Sequence, residues 1–267
     1  MQPLLNIAVN AALEAGKIIY RDLDFNLASS AKATKKGRND YVTEIDRIAE
    51  QVIIDVIRKA YPDHGFIAEE GTASGEAEVT WIIDPLDGTT NFIHGFPHFA
   101  VSIAARVGNR VEHGVVYNPV NQELFSASRG CGAYVNNRRI RASKQLELKG
   151  SLIGTGFPFK KPSLFDPYMN SFSSVFKQVS DIRRTGSAAL DLAYVAAGRL
   201  DGFWEMGLQP WDIAAGSLLV QEAGGVVTDF AGNSNFLTTG NIVAGSLKVH
   251  AALHRTLNKS LPAEHIR

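Results

Sequence analysis

Hydrophobic residues recur at helical spacing in two segments near the start of the chain. The first segment places apolar side chains on one face of an N-terminal helix: Leu4, Ala8, Ala11, Ala15 and Ile18. The second segment does the same after a polar, basic stretch at 28–40 that predicts a loop or hairpin: Ile45, Ile48, Val52, Ile53, Val56 and Ile57. Thr43 is a candidate N-cap for this second helix, and Pro62 follows its end. The chain therefore opens with two amphipathic helices.

Shorter apolar runs follow, and they predict a sheet. Residues 65–68 and 79–83 each predict a strand that delivers acidic residues at its end. Between 100 and 141 the runs are short and separated by turn residues, which is typical of an antiparallel meander. The pattern turns polar at 143–149, and strand and helix signals alternate afterwards. We therefore place a boundary there, between an N-terminal lobe at 1–145 and a C-terminal lobe at 146–267.

Composition narrows the class of protein. The 267 residues are 45% hydrophobic and 20% charged, as expected for a soluble globular protein. Lys plus Arg and Asp plus Glu both number 27, so net charge gives no strong signal for nucleic acid. No segment approaches the roughly 20 uninterrupted apolar residues that a membrane span needs. The single cysteine, Cys131, excludes an intramolecular disulfide framework, and we expect a cytoplasmic protein without membrane association.

The stretch WIIDPLDGTTN at 81–91 carries the most chemical information. It joins an apolar strand directly to two acids, a proline, a glycine and two hydroxyls. We expect Asp84 to leave the strand end and Pro85 to break the sheet ladder, because proline has no N–H to donate. The turn then brings Asp87 back beside Asp84, with the Leu86 carbonyl pointing the same way. The segment is therefore a candidate metal loop.

Gly88 and Thr89, the next residues, offer backbone N–H groups at a predicted helix start, where a phosphate binds favourably. A sequence such as Asp-Pro-x-Asp-Gly is by itself an ordinary turn. Clustered carboxylates, however, repel one another and a phosphate dianion unless cations neutralise them. Oxygen ligands without cysteine or histidine favour Mg²⁺ or Mn²⁺ over zinc. His94 and His98 have the spacing of a helical zinc pair, but the glycine and proline between them spoil the helix.

The chain as a whole resembles the inositol monophosphatase family, and especially its bacterial SuhB-type branch. The motifs that carry the resemblance are DYVTEID at 40–46, Glu69-Glu70, WIIDPLDGTTNF at 81–92, RRTGSAA at 183–189 and WDIAAG at 211–216. The match covers nearly the whole chain. It implies an α+β fold, in the form of a layered α-β-α-β-α sandwich of the inositol monophosphatase and fructose-1,6-bisphosphatase type.

The resemblance also implies an activity: hydrolysis of myo-inositol monophosphate and related polyol or sugar monophosphates. The ligands of two or three Mg²⁺ ions would be Glu69, Asp84, the Leu86 carbonyl, Asp87 and Asp212. The catalytic residues would be Asp46, Thr89 and Glu69. The substrate would be bound by Asp87, Gly88, Thr89, Arg183, Gly186, Ser187, Ala188, Glu205 and Asp212. Thr89, hydrogen-bonded toward Asp46, would help one metal ion to activate a water for direct in-line attack on phosphorus. Family members usually form homodimers and are inhibited by lithium.

Purely structural roles remain open for several of these residues. Asp46 would then be only the capping-box partner of Thr43, and Asp212, where a further helix is predicted to begin, only a helix cap. Glu69-Glu70 would be a solvated acidic corner, and Glu205 an exposed strand carboxylate. Arg184, rather than its neighbour Arg183, would be the arginine turned inward. Sequence alone leaves these alternatives undecided.

A different class of function is also open. Members of the SuhB-type branch are associated with RNA polymerase and Nus antitermination factors in ribosomal RNA synthesis, which implies a role in ribosome biogenesis as a non-enzymatic assembly partner. The basic stretches 32–38 and 138–141 are candidate contacts, although such runs are usually solvated loops. Among enzymes, the alternative is a related phosphatase acting on fructose bisphosphate, histidinol phosphate or an adenosine bisphosphate, because the metal motif does not separate these substrates.

Overall fold

A computed structural model of the chain describes residues 2–26, 33–37, 40–73 and 77–266, except for the side chains of 24–26, 33–37 and 40–43. Its helices are α1 (Pro3–Asn26), α2 (Glu44–Ala60), α3 (Thr89–Ile93), α4 (Phe165–Phe176), α5 (Ala188–Ala196), α6 (Pro210–Glu222), α7 (Phe236–Thr239), α8 (Leu247–Ser260) and α9 (Ala263–Ile266), with a 3-10 turn at Pro162–Leu164. Its strands are β1 (Ala33–Gly37), β2 (Asp40–Thr43), β3 (Gly65–Ala68), β4 (Val79–Asp87), β5 (Ala100–Val107), β6 (Arg110–Asn118), β7 (Glu123–Ser128), β8 (Gly132–Val135), β9 (Arg138–Arg139), β10 (Leu152–Thr155), β11 (Asp181–Arg183), β12 (Gly202–Glu205), β13 (Val226–Thr228) and β14 (Ile242–Gly245).

These elements stack in five layers. Helices α1 and α2 pack on one face of a seven-stranded sheet, β3 to β9, and α5 and α6 lie on its other face. The same two helices contact the five-stranded sheet, ordered β11-β10-β12-β14-β13, whose far face is covered by α8 with α4 beside it. The predicted α-β-α-β-α sandwich is confirmed. The first sheet ends at Arg139 and the second begins at Leu152, but the lobe boundary itself remains a prediction.

The amphipathic pattern accounts for the first layer. Ala8, Ala11 and Ala15 on α1 are almost completely buried against α2 and the sheet, because their small side chains allow close packing. Helix α2 buries Ile45 and Ile53 on the same side, as predicted. The predicted apolar face is too wide, since Ile48 is 41% exposed. The N-cap expected at Thr43 falls on a side chain outside the described residues.

Strand β4 is the element that positions the acidic motif. The structure corrects the expectation that this strand ends at Asp84, because it continues to Asp87. Its register with β5 shifts between the two acids: Asp84 lies opposite Ser102, and Asp87 lies opposite Ala100. The extra residue makes a β-bulge, in which Pro85 needs no partner for its missing N–H. The antiparallel meander predicted for the following strands is confirmed.

The core between the two sheets is formed largely by α5 and α6, whose buried residues pack against both. Strand β10 runs parallel to β11 and β12, so the strand ends at 155–156 and 205–206 lie at the same edge of the second sheet. Gly198 ends the helical region of α5 with a φ of 69°, a left-handed conformation that glycine adopts readily. The starts of α5 and α6 face the β4 bulge, and this junction holds the candidate site.

Candidate active site

A cavity of about 440 Å³ lies where β4, α3, α5, α6 and the loop after β10 meet. Most residues selected from the sequence line it: Glu69, Asp84, Leu86, Asp87, Gly88, Thr89, Gly186, Ser187, Ala188, Glu205 and Asp212. Asp46 stands behind this lining and contacts Thr89. Arg183 is not part of the lining. The fold therefore gathers side chains that are more than 140 residues apart in the chain around one open space.

The β4 bulge holds the first two acids in place. Asp84 is 1% exposed, and its Oδ1 accepts a hydrogen bond from the Leu86 backbone N–H at 3.0 Å. Gly88 follows with a φ of 102°, a left-handed conformation in which a side chain would also press within 3.0 Å of the His98 carbonyl oxygen. Glycine is therefore required at this position. The local chain path fixes the segment before any distant contact is added.

Asp87 is held from the other half of the chain. Its Oδ2 accepts hydrogen bonds from the Ser187 hydroxyl and from the Ala189 backbone N–H, both at 2.7 Å. Ser187 is also the N-cap of α5, and its hydroxyl lies 3.4 Å from the Leu190 backbone nitrogen. The start of α5 thus ties the motif at 183–189 directly to the acidic segment. Two motifs that are about 100 residues apart form one site.

Thr89 and Asp46 make the contact that the resemblance implies. The Thr89 hydroxyl lies 3.0 Å from Asp46 Oδ1 and 3.1 Å from the Leu86 carbonyl oxygen. Because a hydroxyl has a single proton, it donates to one of these acceptors at a time. Asp46 lies on α2 and is 1% exposed. A buried carboxylate therefore orients the hydroxyl at the edge of the cavity, and the catalytic role of the pair stays a prediction.

Glu69 is delivered by the turn after β3. The carboxylate of Glu50, buried on α2, accepts hydrogen bonds from the backbone N–H groups of Glu70 at 2.8 Å and Thr72 at 3.3 Å, and from the Thr72 hydroxyl at 2.7 Å. The acidic corner is therefore anchored in the interior. The Glu69 carboxylate itself forms an ion pair with Lys160, with 3.6 Å between Oε1 and Nζ.

Asp212 enters the cavity from the first turn of α6. That helix begins at Pro210, two residues before the predicted start, because the fixed φ of proline suits the first helical position. Asp212 Oδ2 accepts a hydrogen bond from the Gln209 backbone N–H at 2.7 Å. A helix-capping role for Asp212 and a place in the cavity lining are therefore both observed.

Burial and mutual repulsion act strongly on this group of acids. Burial, with the charges of Glu69, Asp87 and Asp212, raises the pKa of Asp84 well above its ordinary value. Burial, with the charge of Asp212, raises the pKa of Glu69 to about 7, while Lys160 opposes the shift. Burial raises the pKa of Asp87 to about 6 in spite of its two hydrogen bonds. A nearby cation would relieve this repulsion and favour the ionised forms.

The donor set suits a hard divalent cation. Glu69, Asp84, Asp87, Asp212 and the Leu86 carbonyl present only oxygen atoms, the ligands that Mg²⁺ prefers. Within the part of the chain that the structure describes, no three acidic, histidine or cysteine side chains are already arranged to hold a metal ion. Asp87 and Asp212 each turn Oδ2 toward a backbone N–H group, and each carboxylate has a second oxygen. The residues fit the metal chemically.

Of the two adjacent arginines, the structure places Arg184 at the cavity. Arg183 is half exposed and pairs with Asp181 on the same strand, and its assignment as a substrate contact stays a prediction. Strand β11 ends at Arg183, and Arg184 is the first residue after it. The Arg184 guanidinium lies over the rings of Phe157 and Phe159, 5.4 and 5.0 Å from their centroids.

Glu205 is the last residue of β12 and lines the cavity. Burial, with the charges of Asp191 and Asp212, raises its pKa well above the ordinary value, and Arg184 opposes the shift. Asp191 is 1% exposed and accepts a hydrogen bond from the Thr185 hydroxyl at 2.7 Å. The alternative of an exposed strand carboxylate therefore does not describe Glu205.

Sequence reasoning missed several residues of the site. They are the loop at 156–161, Glu50 and Asp191. The loop carries a detectable signal, because Gly-Phe-Pro-Phe-Lys-Lys directly follows a predicted strand. Glu50 and Asp191 carry none, since a single acid in an apolar helical segment says nothing about what it contacts.

Other features that the sequence singled out lie away from the cavity. The side chains of the basic stretch 32–38 lie outside the described residues, whereas Arg138 and Arg139 are exposed on β9. Cys131 is exposed in a turn between two glycines of positive φ. Among the helices that the structure describes, none combines the length and apolar character needed to cross a bilayer.

Comparison with known proteins agrees with this geometry. The profile of the inositol monophosphatase family matches residues 1–263. The chain is 55% identical to the Nus factor SuhB of Pseudomonas aeruginosa, over 98% of each chain, and 53% identical to the Nus factor SuhB of Escherichia coli, again over 98% of each.

Solved structures show the same relationship. The extragenic suppressor protein suhB of Bartonella henselae is 45% identical, with a TM-score of 0.93 over 97% of this chain and 100% of that one. The IMPase of Thermotoga maritima is 37% identical, with a TM-score of 0.88 over the full length of both chains. A family match that spans almost every residue, together with the shared fold, leaves one conclusion: this chain belongs to the inositol monophosphatase family.

Proposed function

We propose that the chain is a Mg²⁺-dependent phosphatase that hydrolyses myo-inositol monophosphate and related polyol or sugar monophosphates. The observation that carries the proposal is the cavity lined by Glu69, Asp84, Asp87 and Asp212, whose charges repel one another unless cations are present. Membership of a family named for inositol monophosphatase supports the reaction class. Two or three Mg²⁺ ions would be held by these carboxylates and the Leu86 carbonyl.

The roles of the residues follow from their contacts. Bound Mg²⁺ supplies charge neutralisation and lowers the pKa of a water molecule. Asp46 orients the Thr89 hydroxyl, whose lone pairs then face the cavity and help to position the attacking water. The backbone N–H groups of Gly88 and Thr89 hold the phosphate, and Ser187 keeps Asp87 in place. Glu69 is a second carboxylate, after Asp46, that assists in catalysis near that water.

The alcohol part of the substrate faces the end of the cavity at Glu205, which we call the substrate end. The end lined by Glu69, Asp84, Asp87 and Asp212 is the metal end. We assign recognition of the substrate hydroxyls to Glu205 and to the α5 start at Gly186 and Ala188, with Arg184 taking the place first given to Arg183. Phosphates of fructose, histidinol and adenosine remain alternative substrates, because the metal end is suited to any phosphate ester. The size and polarity of this end decide among them.

The decisive experiment is a phosphate-release panel with purified protein, covering these substrates with and without Mg²⁺. We expect myo-inositol monophosphate to give the highest kcat/KM and chelation to abolish turnover. Full turnover in thoroughly metal-free protein would refute the metal assignment. We also expect lithium to inhibit, and unchanged rates over a broad lithium titration would contradict the family-based expectation.

A second function is favoured by the relatives, two of which are named Nus factor SuhB at 53–55% identity. We propose that the chain also binds RNA polymerase or Nus factors in antitermination of ribosomal RNA transcription, in the cytoplasm and as a homodimer. A catalytically inactive variant should still bind these factors with native affinity, measured by calorimetry, and sedimentation should report two chains. Loss of factor binding in a folded inactive variant would show that the two functions are not separable.

A further inference from the structure

Gly156 lies directly beside Glu205 at the substrate end of the cavity. Strands β10 and β12 run parallel, with Thr155 opposite Trp204. The Thr155 hydroxyl donates a hydrogen bond to the Trp204 carbonyl oxygen at 2.9 Å, which fixes the two strand ends relative to each other. Glu205 is the last residue of β12, and Gly156 is the first residue after β10. Their neighbourhood is therefore set by the ends of two paired strands.

The carboxylate of Glu205 occupies the space in which a side chain at position 156 would begin. A Cβ atom built on Gly156 would lie 2.1 Å from the Glu205 carboxylate carbon and Oε1, and 2.2 Å from Oε2. Nonbonded atoms do not approach so closely, so alanine at 156 and the present position of Glu205 exclude each other.

Alanine at 156 would nevertheless be compatible with the fold. The backbone of Gly156 is not in the left-handed region, so its conformation is open to any residue. The obstructing atoms belong to the far end of a flexible side chain and not to the backbone. The collision is therefore relieved by movement of Glu205 and not by distortion of the sheet.

Like charges surround Glu205. Its carboxylate lies near Asp191 and Asp212, with Arg184 as a compensating cation. Displacement deeper into this group would bring like charges closer together. The collision at 2.1 Å displaces the carboxylate from its present position beside Gly156, and a substrate hydroxyl that pairs with it there loses its hydrogen-bond partner.

We infer that Gly156 is a positioning residue that sets substrate specificity, because the absence of its side chain lets Glu205 face the polyol part of the substrate. The inference rests on the proposed phosphatase function. Substitution of Gly156 should therefore affect two classes of phosphate ester differently. One class has hydroxyls that reach Glu205, such as myo-inositol 1-phosphate, and the other lacks them, such as 4-nitrophenyl phosphate.

The test compares Gly156→Ala with Gly154→Ala on both esters. Gly154 lies two residues before Gly156, and its added Cβ would meet Leu200 Cδ1 at 2.9 Å and Phe203 Cδ2 at 3.2 Å instead of Glu205. Asp191 Cγ is 3.5 Å away, an ordinary van der Waals distance that leaves this side chain in place. For Gly156→Ala we expect kcat/KM to fall about tenfold with the inositol ester and less than twofold with the nitrophenyl ester, the size of effect a lost pocket contact gives. For Gly154→Ala, both esters should change by the same factor.

A double-mutant cycle shows whether the effect passes through Glu205. In a Glu205→Ala background, Gly156→Ala should cause no further loss with the inositol ester, since the colliding carboxylate is gone. A further tenfold loss there, or an equal loss on both esters in the single variant, overturns the inference.

A crystal structure of Gly156→Ala provides a readout that is independent of activity. We expect the Glu205 carboxylate to have left its wild-type position while the strand pairing of β10 and β12 is retained. An unmoved Glu205 defeats the inference even if the wild type hydrolyses every ester in the panel. Conversely, a wild type that releases no phosphate defeats the proposed function, whereas the structure of the variant still reports on the Gly156 and Glu205 contact.

Discussion

The two ends of the cavity are built in different ways. At the metal end, one short segment supplies four of the proposed groups: Asp84, Leu86, Asp87 and Thr89. Glu69 and Asp212 join this segment from the turn after β3 and from α6. At the substrate end, each group comes from a different element, and the contacts are made by long side chains, such as that of Arg184 above two phenylalanine rings. The metal end is thus built around one contiguous stretch, whereas the substrate end is assembled entirely by the packing of distant parts.

This difference predicts which changes are severe. A substitution at the metal end alters charges that every substrate needs, whereas a substitution at the substrate end affects only esters that use the altered group. The comparison of esters in Gly156→Ala tests the substrate end, and the four predictions below test the metal end, beginning with the largest expected effect.

Asp87→Asn should cause the largest loss. The amide keeps the shape and an oxygen that accepts from Ser187 and Ala189, but it removes one negative charge from the metal end. We expect kcat to fall at least ~100-fold on every ester, the order found when transition-state charge stabilisation is removed. Thermal melting in metal-free buffer should show no loss of stability, because repulsion among the carboxylates decreases.

The control for this prediction is Asp55→Asn, which changes an exposed aspartate on α2 and should leave kcat unaltered. Native turnover combined with a lower melting temperature in Asp87→Asn would identify Asp87 as a structural turn residue instead.

Thr89→Val should cause a loss of intermediate size. The change removes the hydroxyl that contacts Asp46 and nearly preserves the side-chain volume. We expect kcat to fall roughly 10- to 100-fold, with KM and the Mg²⁺ requirement almost unchanged, because only positioning of the attacking water is lost. Steady-state kinetics on two esters measures the effects on kcat and on KM separately. Thr90→Val, one residue further along and exposed, should behave like wild type; an equal loss in both variants would exclude a specific role for Thr89.

Stability of the metal-free protein should depend on pH through the metal end. The pKa of Glu69 is raised by burial and by Asp212 to about 7 from an ordinary value of 4.5. Between these values the folded state binds more protons than the unfolded state, so the free energy of unfolding decreases as pH rises. Mg²⁺ should remove this decrease, because it binds the ionised carboxylates.

Urea unfolding with chelator or Mg²⁺, across this pH range, measures the effect. Glu69→Gln should show a smaller decrease with chelator, since its amide does not titrate. Metal-free stability that rises from pH 4.5 to about 7 in the wild type, and equally in Glu69→Gln, would contradict the pKa assignment.

Lys160→Gln should give the smallest change. The Lys160 ammonium lies 3.6 Å from Glu69 Oε1 and is half exposed, so its charge weakly opposes a cation bound by the same carboxylate. We expect Mg²⁺ affinity by calorimetry to increase about two- to threefold in low salt and less in high salt, as for an exposed ion pair. Lys161→Gln provides the matched control. Equal effects of both lysines would indicate a general surface field instead of a specific pair.

Sequence patterns predicted the helices and strands that surround the site because their apolar residues follow a single period. They failed where tertiary contacts override the local pattern. Strand β4 continues through Pro85 because β5 pairs around a bulge. Helix α6 begins at Pro210, two residues earlier than predicted. Ile48 lies on the exposed side although it fits the helical repeat.

The sequence by itself determined the amphipathic helices, the strands of the meander and the acidic segment of the metal end, because these depend on residues that are neighbours or follow a regular repeat. Its motifs also carried the resemblance to the family, and the five-layer fold was predicted from that resemblance. Only the tertiary structure decided that Arg184 faces the cavity, that Glu50 anchors the turn carrying Glu69, and that Gly156 lies against Glu205. These contacts join residues whose separation in the chain follows no period. Their geometry comes from how sheets and helices pack, and a linear pattern does not contain that information.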